Sequence, residues 1–278
     1  MPRFAANLTT LFTDVPFLDR FARAAKAGFK GVECLFPYDF PAERLAEELH
    51  RHDLTQVLFN LPCGDFANGE RGMAAVPGRQ VEFRASVELA IDYALTLGCK
   101  RLHAMAGLLD DPEQRPAALD CYRENLRYAA EKLHAHELML LVEPINNRSM
   151  PHYILNHQAE AHALVSELGL ANLRVQMDFF HAQIMEGDLA ATYRRYQTTI
   201  GHVQIAGVPD HHEPSSGEVN YPFLFQLLDD CGYTGWVGCE YQPRGRTEDV
   251  PGLDEEHRPR LIPHHENARH EPGVFMSG

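Results

Sequence analysis

The amino-acid composition of this 278-residue chain is that of an ordinary globular protein, with 45% hydrophobic and 23% charged residues. The length fits one large α/β domain of about 250 residues with a short extension, or two modest domains. A formal net charge of −14, from 25 Lys and Arg against 39 Asp and Glu, argues against a nucleic-acid partner, because phosphate binding requires a basic face. No apolar run could span a bilayer and the first residues lack the apolar region of a signal peptide, so we expect a cytoplasmic protein without a membrane partner.

Short apolar runs alternate with longer amphipathic runs along most of the chain. Each short run is typical of a buried strand, and each longer run has the apolar spacing of a helix that covers the strands. The predicted strands are residues 3–8, 31–36, 55–60, 101–104, 139–143, 173–178, 201–205 and 235–241. The predicted helices are residues 16–27, 41–52, 79–97, 116–136, 158–168, 181–198 with an interruption near Gly187, and 221–231.

The regular recurrence of strand and helix through eight strands indicates an α/β fold, a single (β/α)₈ TIM barrel of the kind in which a parallel sheet closes on itself. We assign this barrel to residues 1–245, and an open doubly wound sheet is the alternative architecture. Residues 246–278 contain four prolines and several histidines but no apolar period. They are predicted to form a mobile C-terminal tail, with a metal-binding histidine tract as the less favoured interpretation.

Polar side chains stand at or near the carboxyl ends of six predicted strands, which is where a TIM barrel carries its reacting groups. Because side chains alternate along a strand, Glu143, Asp178, Gln204 and Glu240 are expected on one face and at one rim of the barrel. The strand-end polar residues, in chain order, are Asn60, His103, Glu143, Asp178 with His181 one turn later, Gln204 and Glu240.

The four residues expected at one rim are hard oxygen donors, three carboxylates and one amide, which suit Mg²⁺ or Mn²⁺ better than zinc. Each has a simpler explanation when taken alone: a carboxylate after a strand often caps the next helix, and Gln204 could be an interior hydrogen-bonded amide. Their coincidence on four consecutive strands favours a metal site, because three clustered carboxylates without a cation would repel one another.

A cation flanked by two glutamates can hold a carbonyl and an adjacent hydroxyl oxygen while one carboxylate removes the α-proton and the other returns it. This arrangement is typical of aldose–ketose isomerisation or epimerisation through an enediolate. The four lysines all lie in predicted helices or near the amino ends of strands, so a Schiff-base mechanism is disfavoured. The sequence also lacks a P-loop and a dinucleotide-binding fingerprint.

A series of motifs, in order along residues 1–247, resembles the hydroxypyruvate isomerase family, which includes the 2-oxo-tetronate isomerases and lies within the xylose isomerase-like TIM barrels. Several such motifs in the same order make the resemblance specific. The motifs are RFAANL (residues 3–8), LFPYDF (35–40), NLPCGDFANGERG (60–72), PGR (77–79), LVEPIN (141–146), MDFFHAQ (177–183), GHVQIAG (201–207), HEPSSGEVNYP (212–222) and GWVGCEY (235–241).

The resemblance implies a role for each of the rim residues. It implies that Glu143, Asp178, Gln204 and Glu240 bind the divalent metal, that Glu143 and Glu240 are the acid/base pair, and that His181 contacts a substrate oxygen. The family acts on small 2-oxo acids, whose carboxylate requires a cationic partner. The predicted substrate-binding residues are His181, Arg71 as the first candidate for that partner, Arg79 as the second, Asn60 and His103.

Other functions remain as alternatives. The motif around His103 resembles 2-oxo-tetronate isomerases, whereas EPIN at residues 143–146 resembles hydroxypyruvate isomerases, so the substrate stays open between them. A ketose 3-epimerase is the first rival, although such enzymes have a histidine where Gln204 stands. An endonuclease IV-like phosphodiesterase is the second, although Asn60 and Gln204 replace two histidines of its metal cluster. A barrel that only binds a sugar acid is the third, and a homo-oligomer is compatible with all of them.

Overall fold

The protein, described over residues 2–249 by a computed structural model, is built around a closed barrel of eight parallel strands. Each strand pairs with the next along the chain and the first pairs with the last. All the carboxyl ends therefore lie on one rim. The strands are β1 (Arg3–Asn7), β2 (Gly31–Glu33), β3 (Thr55–Asn60), β4 (Arg101–His103), β5 (Met139–Val142), β6 (Leu173–Asp178), β7 (Ile200–Ile205) and β8 (Trp236–Cys239).

Helices connect the successive strands and cover the outside of the barrel. The helix predicted after the sixth strand is two helices, because Gly187 and Asp188 have φ of 67° and 44°, in the left-handed region that interrupts a helix. The helices are α1 (Asp19–Lys26), α2 (Ala42–Arg51), α3 (Gln80–Leu97), α4 (Arg115–His134), α5 (Gln158–Leu168), α6 (Phe179–Met185), α7 (Leu189–Tyr196) and α8 (Tyr221–Asp230).

The inside of the barrel changes from apolar to polar toward the carboxyl rim. On β1 Ala5 is followed on the same face by Asn7, and at β5 Leu141 is followed by Glu143. A small apolar cluster, which includes Ala5 and Leu141 and packs against Trp236, fills the interior near the amino ends of the strands. In the rim half the inner side chains are polar and hydrogen-bond one another.

The predicted single (β/α)₈ barrel is confirmed, while some strands are shorter than predicted. β2 stops at Glu33 instead of residue 36, next to an irregularity in its pairing with β3. Glu143 and Glu240 each follow the last residue of a strand directly. Two of the polar positions stand level with each other across the sheet, since Asp178 pairs with Gln204, and Gln204 pairs in turn with Gly238, two residues before Glu240.

The last described residues fold back onto the loop that follows β1. Thr247–Asp249 form a short 3₁₀ turn, in which Thr247 is buried and its Oγ1 accepts a hydrogen bond from the Phe12 main-chain N–H at 2.7 Å. Arg23 of α1 pairs with Glu248. The predicted tail otherwise falls on residues 250–278, outside the described range, so the domain boundary stays a prediction. No helix between residues 2 and 249 has the length and apolarity needed to cross a bilayer.

Candidate active site

Three side chains meet at the carboxyl ends of β5 and β6. Glu143 follows β5, Asp178 ends β6 and His181 lies in the first turn of α6. One oxygen of each carboxylate and one ring nitrogen all lie within 4.8 Å of one another. Asp178 also caps α6, because its Oδ1 accepts a hydrogen bond from the Phe180 main-chain N–H at 2.8 Å. Its other oxygen lies 3.8 Å from His181 Nε2, so the helix cap and a role in the cluster are compatible.

Gln204 and Glu240 complete the rim on the next two strands. Gln204 Nε2 donates to Glu240 Oε2 at 2.6 Å, and Gln204 Oε1 accepts from Gln176 Nε2 at 2.6 Å. Burial raises the pKa of Glu143, and the nearby Gln176 amide opposes this rise. Two amides, on β6 and β7, therefore lie between Glu143 and Glu240.

Asn60 and His103, at the ends of β3 and β4, border the site on the side of Glu143. His103 Nδ1 lies 3.2 Å from Asn60 Oδ1 and 3.6 Å from Glu143 Oε2. Both residues are buried, and His103 Nε2 has no hydrogen-bond partner among the described residues. The unpartnered nitrogen is a polar group available to a bound molecule.

The carboxylates of the site are destabilised in their charged form. Burial, followed by the charges of Glu240 and Asp178, raises the pKa of Glu143 well above its usual range. Burial, followed by the charges of Glu33 and Asp178, raises the pKa of Glu240 in the same way. Burial raises the pKa of Asp178 to about 7. A group of buried acids with raised pKa values is what a site for proton transfer or for a cation requires.

His181 is oriented as a hydrogen-bond donor. Asn146 Oδ1 accepts from the main-chain N–H groups of Arg148 and Ser149, which leaves Asn146 Nδ2 facing His181 Nδ1 at 2.6 Å. Burial, followed by the neighbouring His211, lowers the pKa of His181 to about 3, so the ring is neutral. Since Nδ1 accepts from the amide, the ring proton sits on Nε2, which points at the carboxylate cluster.

The two predicted arginines lie in the segment between β3 and α3 and differ in their surroundings. Arg79 is held by carboxylates, with Glu70 at 2.5 Å and Glu82 at 2.6 Å. Arg71 donates to the main-chain carbonyls of Phe66 and Glu70 and lies over the Phe66 ring at 4.0 Å. Within residues 2–249 Arg71 forms no ion pair, and neither arginine hydrogen-bonds the carboxylate cluster. Arg71 therefore retains the free charge that a substrate carboxylate requires.

Sequence reasoning missed several polar residues that surround the site. Glu33 is fully buried and accepts from Gln204 Nε2 at 2.7 Å, and Asn7 Nδ2 donates to both Glu33 and Glu240. Glu33 and Asn7 each lie at the end of a strand, and a polar residue at a strand end is the signal that identified the other rim residues. Glu33 was missed because the second strand was predicted to continue to residue 36. Gln176 shares a face with Asp178, and Asn146 lies within the LVEPIN motif.

The donor set fits a divalent cation. Glu143, Asp178, Gln204 and Glu240 offer oxygen atoms from four consecutive strands, and within residues 2–249 no lysine or arginine forms an ion pair with the three acids. His181 lies near enough to be considered a ligand. Its Nε2–H orientation favours hydrogen bonding to a bound molecule instead.

Fold and site together define a TIM barrel with a cluster of acidic groups at the carboxyl rim, where enzymes of this fold carry their active sites. The sequence model of the xylose isomerase-like TIM barrel family matches residues 21–265. A 2-oxo-tetronate isomerase of Cupriavidus necator is 51% identical over 247 residues, which make up 89% of this chain and 95% of that protein. A hydroxypyruvate isomerase of Escherichia coli is 45% identical over 251 residues, which make up 89% of this chain and 96% of that protein.

A solved structure agrees with the fold. The crystal structure of a Brucella melitensis protein described as an AP endonuclease, family 2, superposes with a TM-score of 0.87 at 57% identity, covering 89% of this chain and 96% of that one. The chain belongs to the xylose isomerase-like TIM barrel family, and its relatives place it with the hydroxypyruvate and 2-oxo-tetronate isomerases. It is an isomerase, and the family resemblance seen in its motifs is confirmed.

Proposed function

We propose that this enzyme interconverts small 2-oxo acids with their 2-hydroxy-3-oxo isomers, with hydroxypyruvate and 2-oxo-tetronate as the candidate substrates, in a reaction dependent on Mg²⁺ or Mn²⁺. The observation that carries the proposal is the pair of rim glutamates, Glu143 and Glu240, separated by the two strands that bear Asp178 and Gln204. Relatives named for both substrates support the class of reaction.

In the proposed mechanism one of the two glutamates removes a proton from the hydroxyl-bearing carbon next to the ketone, and the other delivers a proton to the former carbonyl carbon. The substrate passes through an enediolate. Neutral His181 donates its Nε2–H to a substrate oxygen, and Arg71 binds the substrate carboxylate. Asn60 and His103 contact the substrate from the side of β3 and β4. Arg79, engaged by two carboxylates, holds the loop that carries Arg71.

The cation would be held by Glu143, Asp178, Gln204 and Glu240. When bound, it supplies positive charge that stabilises negative charge developing on the substrate oxygens. The protein's own contribution is to hold three carboxylates in a buried cluster at the rim, at a cost in electrostatic repulsion that the cation offsets.

The proposal is tested by incubating the enzyme with hydroxypyruvate, 2-oxo-tetronate or a free ketose in D₂O with Mg²⁺ and following the products by NMR. We expect isomerisation of a 2-oxo acid with deuterium at the carbon that receives the proton, because a glutamate proton exchanges with solvent. Turnover of the ketose alone would favour the 3-epimerase alternative. Binding of a 2-oxo acid with neither isomerisation nor exchange would indicate a barrel that only binds.

A phosphodiesterase is the second candidate, because the Brucella melitensis protein is described as an AP endonuclease. Asn60 hydrogen-bonds His103, and Gln204 hydrogen-bonds Glu240, so two positions of a histidine-rich metal cluster are occupied by amides. An abasic-site DNA duplex, included as a further substrate in the same assay, is expected to remain uncleaved.

A further inference from the structure

Glu33 is a fully buried carboxylate directly beneath the candidate site, and the proposed mechanism gives it no role. Burying a carboxylate is costly unless its oxygens are hydrogen-bonded. Glu33 Oε2 lies 2.8 Å from His202 Nε2, and Oε1 accepts from Gln204 at 2.7 Å and from Asn7 at 3.2 Å. The space it occupies exists because residue 238 is glycine: a Cβ there would lie 2.3 Å from Oε1 and 2.5 Å from Oε2.

The partners of Gln204 determine which way its amide faces. Nε2 stands between two carboxylate oxygens, those of Glu33 and Glu240, while Oε1 accepts from Gln176. In the flipped amide the oxygen would oppose two carboxylates and the NH₂ group would oppose the NH₂ group of Gln176. All three hydrogen bonds would become repulsive contacts, so the flip is strongly disfavoured. The amide oxygen is thereby directed toward β6, the strand of Asp178.

Of the two carboxylates that accept from Gln204, Glu33 is the more firmly fixed, because it is fully buried and held by His202 as well as Asn7, whereas Glu240 is partly exposed and is held by Asn7. Resting on the proposed function, we propose that Glu33 is a positioning residue that keeps the Gln204 amide oxygen turned toward the cation site before the cation binds. Groups that orient metal ligands reduce the reorganisation needed on binding, and their loss typically weakens metal affinity about 10- to 100-fold.

The experiment measures the Mn²⁺ dissociation constant of the substrate-free protein, by counting free Mn²⁺ with EPR, for wild type, Glu33→Gln and Glu33→Asp. Gln keeps the shape and removes the charge, while Asp keeps the charge and withdraws the acceptor oxygen from Gln204. We expect both variants to bind Mn²⁺ at least about tenfold more weakly. Glu48→Gln is the matched control, since Glu48 is another buried glutamate, ion-paired to Arg44 and Arg51 on α2, and should bind Mn²⁺ like wild type.

Either of two results would overturn the proposal. Wild-type affinity in Glu33→Gln would show that Glu33 does not act on the site. Wild-type affinity in Glu33→Asp combined with weak binding by Glu33→Gln would show that only its negative charge matters.

A second measurement uses only the wild-type protein, so its result does not depend on whether the Glu33 variants fold. In wild-type protein without metal, the Gln204 side-chain NH₂ protons should resonate downfield and exchange slowly with solvent, because both face carboxylates. Signals at ordinary positions with rapid exchange would refute the positioning role. A wild-type protein that binds no Mn²⁺ would instead contradict the proposed function, so the two failures are distinguishable.

Discussion

At the scale of single residues, the rim glutamates are placed where they harm stability. Glu143 is buried and Glu240 is partly buried, both lie close to Asp178, and loss of hydration and the neighbouring charge both raise their pKa values. A purely structural role would not require three acids in this arrangement. Proton transfer, in contrast, requires groups whose pKa values approach the working pH. Their surroundings therefore make these glutamates the best targets for substitution.

We expect Glu143→Gln and Glu240→Gln each to lower kcat about 10²- to 10⁴-fold, because the amide can neither remove nor return a proton. Melting temperatures measured in EDTA should stay constant or rise, since each change removes one charge from a repelling group. Steady-state kinetics and thermal melts check both parts, with Glu48→Gln as the control that keeps full activity. Turnover close to wild type in both variants would exclude the acid/base pair.

At the scale of elements, the buried His162 connects α5 to the end of α7 and to the residues that follow it. His162 stacks on Tyr196 with ring centroids 4.0 Å apart, and its Nδ1 lies 2.8 Å from Thr199 Oγ1. The Thr199 hydroxyl donates to the Tyr196 carbonyl, so it accepts from a protonated Nδ1. Nε2 is buried without a partner among the described residues, and burial lowers the pKa of His162 to about 4.

This histidine should make the packing sensitive to acid. The unfolded chain takes up the proton near the ordinary pKa of 6.5, whereas the folded protein resists it down to about 4. The stability that neutral His162 contributes is therefore complete above pH 6.5 and declines as the pH falls toward 4. Denaturant titrations at several pH values should show a shallower decline for His162→Phe, which keeps the stacking and cannot be protonated. Parallel curves for both proteins would contradict this.

The 3₁₀ turn at the end of the described chain also stabilises the barrel, because its Thr247 side chain accepts the hydrogen bond of the buried Phe12 main-chain N–H. A chain ending at residue 245, the predicted barrel boundary, loses Thr247 and Glu248, while a chain ending at 249 keeps them. We expect the shorter chain to be less stable by about 1–3 kcal/mol, the usual cost of leaving a buried donor unpaired. Equal denaturation midpoints for the two truncated chains would show that residues 246–249 do not stabilise the barrel.

At the scale of the whole molecule, the barrel separates stability from chemistry. The amino half of its interior contains an apolar cluster around Leu141, and the larger core lies between the strands and the helices. The rim half holds polar side chains that hydrogen-bond one another. A ligand that contacts the three rim carboxylates and Gln204 would tie together four consecutive strands, so its binding should stabilise the whole fold.

We therefore expect EDTA to abolish activity and to lower the melting temperature, and Mg²⁺ or Mn²⁺ to restore both. A cation present at 100 times its dissociation constant would stabilise the folded state by about 2.7 kcal/mol. Glu143→Gln should lose most of this stabilisation. Full activity in a sample shown to be free of metal would rule out the proposed cation.

Periodicity along the chain by itself determined the eight strand-and-helix units and favoured the barrel over an open doubly wound sheet, because burial on both faces of a parallel strand leaves an apolar run that a local pattern reveals. The pairing of β1 with β8 then showed that the sheet is closed. Periodicity also identified the polar strand ends, and the structure brings Asn60, His103, Glu143, Asp178, His181, Gln204 and Glu240 together at the rim. Only the tertiary structure showed that Arg79 is ion-paired whereas Arg71 has no ion pair within the described residues, and that Glu33 lies beneath Gln204. Pairing between side chains distant in sequence depends on distances across the closed barrel, and no local pattern encodes those distances.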